Sequence, residues 1–192
     1  MKVNFTKSSD ALVIIGTSAG GIHALKSLFQ AMQPGFRLPL VVAIHRLKNV
    51  KSHMESVLQA STDLLVKEAE EKEFVKPGHI YLTPANYHLL IEEDKSISLS
   101  VDELVNFSRP SIDVSFVSAS EVYGPNVIGI VLTGANADGA KGLQRISENG
   151  GVAIVQDPST AQVDTMPSEA LKMVPDAKVL TLENIAAFLN NL

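Results

Sequence analysis

Three polar residues stand where apolar runs end. Ser18 follows "LVIIG", His45 closes "LVVAIH", and Asp138 follows "VIGIVLTG". Hydroxyl, imidazole and carboxylate are the groups of a nucleophile, its general base and the acid that orients the base. Ser18 lies in "GTSAGG", which satisfies G-x-S-x-G. Glycines around the serine permit a sharp strand–turn–helix and keep neighbouring Cβ atoms away from the hydroxyl. The helix leaving such a turn offers unpaired N–H groups to an oxyanion. Each residue also has a plainer reading. Ser18 is a small residue in a glycine-rich turn, His45 a hydrogen-bonded structural histidine, and Asp138 a first-turn or capping acid of the helix after it. A dinucleotide loop is the weaker alternative, because G-x-G-x-x-G is absent and the second strand ends in His-Arg. A phosphate loop fails, since no Gly-Lys-Ser/Thr follows the turn.

The elements that must unite these groups are legible as alternating apolar runs and amphipathic stretches. "ALVIIG" and "LPLVVAIH" read as buried strands, with a helix from Gly21 to Met32 between them burying Ile22, Leu25, Leu28 and Phe29. Lys51 to Ala60 reads as a second helix. "HIYLTP", "HLLIEE" and "SISLSV" crowd together, and such short connections predict antiparallel hairpins. Ile112 to Tyr123 is helical, "NVIGIVLTG" and "GVAIVQ" are strands, and "ADGAKGLQRISENG", "MPSEALKMV" and "LENIAAFLNNL" are helices. The expected fold is a three-layer αβα domain spanning 1–192: a mostly parallel, doubly wound sheet with an antiparallel β-hairpin insertion. In such sheets the working residues gather at the carboxyl edge, where separate βα units bring distant residues together.

Composition narrows the chemistry. The 192 residues suffice for one well-buried core, and 45% hydrophobic with 19% charged content is ordinary for a globular protein. A formal charge of −5 argues against a nucleic-acid partner. Without cysteine there is no disulfide, thiolate metal site or cysteine nucleophile. The polar start "MKVNFTKSSD" lacks a signal-peptide core, and no apolar run approaches the roughly 20 residues that cross a bilayer, so no membrane insertion and a cytoplasmic location are expected. His23 and His53 read as helical, His79 as a strand start, and His88 as a hairpin residue near the cleft. No spacing of His, Asp and Glu makes a metal site, and no cofactor is implied. "EAEEKE", Glu68 to Glu73, reads as a solvated acidic turn.

Six blocks carry a resemblance: "IGTSAGG", "VVAIHR", "PGHIYLTPANYHL", "RPSIDVSF", "VIGIVLTGANADGAKGL" and "MPSEAL". In order and spacing they resemble the CheB-type chemotaxis protein-glutamate methylesterases, from about Leu12 to the end of the chain. The resemblance implies a serine hydrolase that removes methyl groups from glutamate γ-methyl esters on the cytoplasmic helices of methyl-accepting chemotaxis receptors; family members can also deamidate glutamines there. It implies Ser18 as nucleophile, His45 as base and Asp138 behind it, with backbone amides of Ala19, Gly20 and Ala135 at the oxyanion. Arg109, in "RPS", is a candidate substrate-binding residue of the cleft, with a salt bridge or structural turn as its plainer role.

Three departures stand against the family pattern. Ala135 replaces a methionine in the "LTGMGNDG" loop, here "LTGANADG", and "RLKNV" replaces a proline-rich turn after the histidine. Eleven residues precede Leu12, too few for the family's receiver domain, so control is expected from a separate response regulator or methyltransferase unless the chain is a fragment. Two rivals follow. A patatin-like lipid acyl hydrolase shares "GTSAG" and "ADGA" but needs an upstream glycine-rich oxyanion segment, and no glycine precedes Gly16. A non-enzymatic signalling scaffold on the same fold is the other.

Overall fold

Branched aliphatic runs in this chain become strands because their side chains fill both faces of a sheet covered by helices. The computed structural model describes residues 10–46 and 53–192. In chain order the first elements are β1 (Leu12–Thr17), α1 (Gly21–Ala31), β2 (Leu40–Ile44), α2 (Met54–Gln59), β3 (Leu65–Glu68) and β4 (His79–Leu82). A hairpin of β5 (His88–Ile91) and β6 (Ile97–Ser100) leads to α3 (Ile112–Tyr123) and β7 (Val127–Val131). Then come α4 (Ala140–Glu148), β8 (Val152–Gln156), α5 (Thr165–Met173), β9 (Lys178–Leu180) and α6 (Leu182–Asn190).

Seven strands form one parallel sheet in the order β3-β4-β2-β1-β7-β8-β9. Alternate residues of β1 serve opposite cores. Val13 and Ile15 pack with α1, α2 and α6, whereas Leu12 and Ile14 pack with α3, α4 and α5. The chain winds outward from β1 to β2, then returns to place β7 on the other side of β1. The order therefore reverses between β1 and β7, and the crevice beyond their carboxyl ends is where doubly wound sheets bind ligands. Ser18 follows β1 and Asp138 follows β7.

The sheet corrects one expectation. "HIYL" is β4, inserted in parallel between β2 and β3, and only β5 and β6 pair antiparallel. Ile80, Tyr81 and Leu82 are wholly buried, which a central parallel strand achieves and a surface hairpin does not. Strands β3 and β9 escape sequence reading because they are short edges with exposed and half-buried positions. Ile22 is 41% exposed rather than buried. It sits in the first turn of α1, at the sheet's carboxyl edge, and the buried stripe is Gly21, Ala24, Leu25, Leu28 and Phe29. Of the expected helix from Lys51, positions 54–59 are helical, while Lys51 and Ser52 lie outside the described residues. "EAEEKE" begins as the last residue of β3, and Lys67 bridges Glu70 and Glu73 across the turn. Among the described residues no helix is long and apolar enough to cross a membrane.

The hairpin is fastened to α3 by serines. Ser115 Oγ donates to Leu89 O at 2.8 Å, and Ile91 N donates to Ser118 Oγ at 3.1 Å. These buried bonds satisfy hydroxyls that would otherwise disfavour a core helix.

Candidate active site

The turn after β1 is held from β7. Ser18 N donates to Thr133 O at 3.0 Å, and Thr17 Oγ1 donates to the same carbonyl at 2.8 Å. Thr133 Oγ1 lies 2.9 Å from Ala19 O as donor and accepts from Val163 N at 2.9 Å, while Thr133 N donates to Gln156 Oε1. One threonine thus ties the serine turn to β7, β8 and the loop before α5. Gly20 has φ +79°, and a Cβ there would stand 2.7 Å from Gln162 Oε1, so backbone conformation and packing both demand glycine. Among the described residues none accepts a hydrogen bond from the N–H of Ala19, Gly20 or Ala135.

His45 follows β2 directly, and its backbone N donates to Thr17 O at 3.3 Å. Its Nδ1 is 3.1 Å from Ser18 Oγ and its Nε2 is 2.8 Å from Asp138 Oδ2. A charged Asp138 takes the Nε2 proton as its donor, which leaves the Nδ1 lone pair facing the serine hydroxyl. The Asn136 amide Nδ2 also lies 3.4 Å from Nδ1, and Asn136 Oδ1 accepts from Asp138 N at 3.2 Å.

Asp138 does not cap its own helix; Gly139, at φ +96°, precedes α4 in that role. The Asp138 carboxylate, 1% exposed, reaches the start of α3 instead. Oδ2 accepts from Ile112 N at 2.7 Å, and Oδ1 accepts from Asp113 N at 3.1 Å, Ser111 Oγ at 2.9 Å and Asn106 Nδ2 at 3.1 Å. Asp113 returns the arrangement, accepting from Gly139 N at 2.9 Å and Gly142 N at 2.7 Å at the start of α4. Each aspartate thereby satisfies the unpaired N–H groups of the other's helix. Their titrations diverge. Burial pushes Asp138 up, but the bonds from His45, Ile112, Asn106 and Asp113 outweigh it and hold its pKa below the ordinary value. For Asp113, burial dominates and the Asp138 charge adds to it, so its pKa is raised despite the Gly142 bond.

Arg109 spends its guanidinium inside the protein. It donates to Val101 O, to Asp102 O at 2.6 Å and to Asn86 Oδ1 at 2.9 Å, bracing the loop between β6 and α3. His88 is buried rather than open to the cleft: Nε2 donates to Glu103 O at 3.0 Å and Nδ1 accepts from Ser111 N at 3.1 Å. It supports Ser111, which supports Asp138. Arg46 pairs with Glu68, and the rest of "RLKNV" lies outside the described residues. No group of three His, Cys, Asp or Glu side chains among the described residues is arranged to hold a metal. Sequence reading overlooked Thr133, Asn106, Ser111, Asp113 and Asn136. Thr133 and Asn136 were signalled only by membership of "LTGANADG" and Ser111 and Asp113 by the "RPSID" block, while Asn106, three residues before that block, carried no signal.

A doubly wound α/β domain with serine, histidine and aspartate in hydrogen-bonded sequence at its switch point has an arrangement that nucleophilic hydrolases also use. The particular family is the CheB methylesterases: the chain belongs to it, its family model matching residues 13–189. A Leptospira interrogans protein (strain Fiocruz L1-130), named "Putative protein-glutamate methylesterase/protein-glutamine glutaminase", is 49% identical over 174 residues, covering 91% of this chain and 90% of its own length. The protein-glutamate methylesterase/protein-glutamine glutaminase of Nitrosospira multiformis is 34% identical over 94% of this chain, which spans 51% of that longer relative. The crystal structure of the Thermotoga maritima CheB methylesterase catalytic domain superposes with a TM-score of 0.89 at 31% identity, covering 95% of this chain and 98% of that one.

Proposed function

We propose that the chain hydrolyses glutamate γ-methyl esters on the cytoplasmic helices of chemoreceptors by a serine mechanism, with glutamine side chains as second substrates. The observation that carries this is the relay from Ser18 Oγ through His45 to Asp138, at 3.1 and 2.8 Å, with the acid buried and charged. Ser18 Oγ attacks the γ-carbonyl as its proton passes to His45 Nδ1. The C–O bond of the tetrahedral adduct then breaks, and the imidazolium returns the proton to the leaving methoxide, releasing methanol. Water attacks the glutamyl ester with the same imidazole as base, freeing the glutamate carboxylate and restoring the Ser18 hydroxyl. For glutamine the leaving group is ammonia.

Asp138 stabilises the imidazolium and fixes the tautomer that aims Nδ1 at Ser18. The free N–H groups of Ala19 and Gly20, with that of Ala135, are the oxyanion donors; the change from methionine to Ala135 keeps the backbone donor. A patatin-like reading would place the aspartate directly on the serine, whereas Asp138 bonds His45. The partner in this reading is a methylated receptor protein. Ser18→Ala should abolish methanol release from a methylated receptor fragment and labelling by a fluorophosphonate, while leaving the fold intact. A fully active variant would overturn the proposal, and a folded wild type that neither labels nor releases methanol would favour a scaffold.

A further inference from the structure

The loop between β6 and α3 carries a two-residue turn whose second residue stands in solvent. Val105 and Ser108 exchange backbone hydrogen bonds at 3.2 and 2.9 Å around Asn106 and Phe107. Both central residues have positive φ, 51° and 59°. That pattern suits Asn-Gly, and a bulky side chain at the second position is disfavoured. Yet the second position holds Phe107, whose surface is 99% exposed, so no burial among the described residues offsets the strain.

The turn is not loose. Asn106 Nδ2 donates to Asp113 Oδ2 at 2.9 Å and to Asp138 Oδ1 at 3.1 Å, anchoring it to the carboxylate of the catalytic relay. Arg109 braces the approach to the turn by holding the Val101 and Asp102 carbonyls. A cavity of about 330 Å³ opens beside it, lined by Phe107, Asn136, Ala137, Asp138, Lys141 and Met173 among others. It shares Asn136 and Asp138, both in contact with His45, so the cavity lies beside the Ser18–His45–Asp138 relay.

Resting on the methylesterase reading, we infer that Phe107 and this cavity form a specificity subsite for an apolar side chain of the substrate helix, one turn from the modified glutamate. Only two methylenes separate a γ-carbonyl from the main chain that carries it, so a carbonyl at Ser18 brings that main chain to the rim. On a helix the neighbouring side chains of the same face lie three and four residues away, about 5–6 Å apart at Cβ. On the methylesterase reading the occupant is a polypeptide helix, with an apolar residue at that spacing. Phe107 enters its surface much as an aromatic anchor enters a protein interface.

Phe107→Gly tests this without disturbing the relay, because glycine suits the turn. Two readouts are compared: fluorophosphonate labelling of Ser18, which needs no helix, and methanol release from a methylated helical receptor fragment. The expected result is labelling at the wild-type rate, with kcat/KM on the fragment reduced about ten-fold, chiefly through KM. Unchanged kcat/KM on the fragment would overturn the inference. A parallel fall in labelling would also overturn it, by showing that the turn acts through the relay. A wild type that neither labels nor releases methanol would instead remove the methylesterase reading itself.

Discussion

The junction behind His45 and the loop in front of it are built on opposite lines. Behind, Asp138 and Asp113 are buried, and each closes the start of the other's helix through backbone N–H groups. In front, the loop between β6 and α3 leaves Val101, Leu104, Val105 and Phe107 exposed. Asn106, on the loop, donates to both buried carboxylates. The contrast separates two demands on a hydrolase. Chemistry needs groups held within a fraction of an ångström, which buried and fully satisfied polar networks provide. Recognition of a protein surface needs apolar groups left in water until the partner covers them.

This comparison can be broken at either end, and the largest effects belong to the buried side. Ser18→Ala should lower methanol release by about a million-fold with no change in the thermal midpoint, measured by radiolabelled methanol and calorimetry. Asp138→Asn should cost on the order of 10⁴-fold in kcat by losing the tautomer control of His45. It should also lower stability by about 3 kcal/mol, because an amide cannot accept from every donor now facing the carboxylate.

The two aspartates should then separate by pH. Asp138, with its lowered pKa, contributes stability above the ordinary carboxylate range that is lost as pH falls through its folded value. Asp113, with its raised pKa, contributes stability below that range that is lost as pH rises through its folded value. The stability cost of Asp138→Asn should therefore shrink on acidification, while that of Asp113→Asn shrinks as pH rises. Urea midpoints between about pH 3 and pH 7 read both slopes, and parallel slopes would contradict the opposed environments.

Smaller effects mark the join and the exposed side. Asn106→Ala should lower kcat about ten-fold by releasing one of the donors on Asp138, with a loss of about 1–2 kcal/mol in chemical denaturation. Phe107→Gly should raise stability slightly, by about 1 kcal/mol, since it relieves a left-handed phenylalanine that buries nothing. A thermal midpoint that falls in that variant would show the phenyl ring contributing to the fold.

How much of this was legible beforehand depends on whether the signal was local. Ser18, His45 and Asp138 could be singled out because each ends a run of branched aliphatics, a pattern visible in a few neighbouring residues. Helix α3 matched its expected bounds, Ile112 to Tyr123, for the same reason. "HIYL" was misplaced because four apolar residues suit a hairpin and a central parallel strand equally, and only pairing with β2 and β3 decides between them. Ile22 fits the helical stripe but, among the described residues, meets no covering layer at the sheet's edge.

The sequence by itself determined which residues could do chemistry, the parallel layered architecture and the family, since these follow from residue type, period and ordered motifs. Only the tertiary structure decided which way the side chains turn. Asp138 sits where a helix cap would sit, yet it serves α3, twenty-six residues back, because the two helices start side by side at the switch point. Thr133 and Ser111 acquire their roles in the same way. A buried polar group must be satisfied, and its partners come from wherever the packed backbone leaves unpaired donors and acceptors, which local pattern does not record.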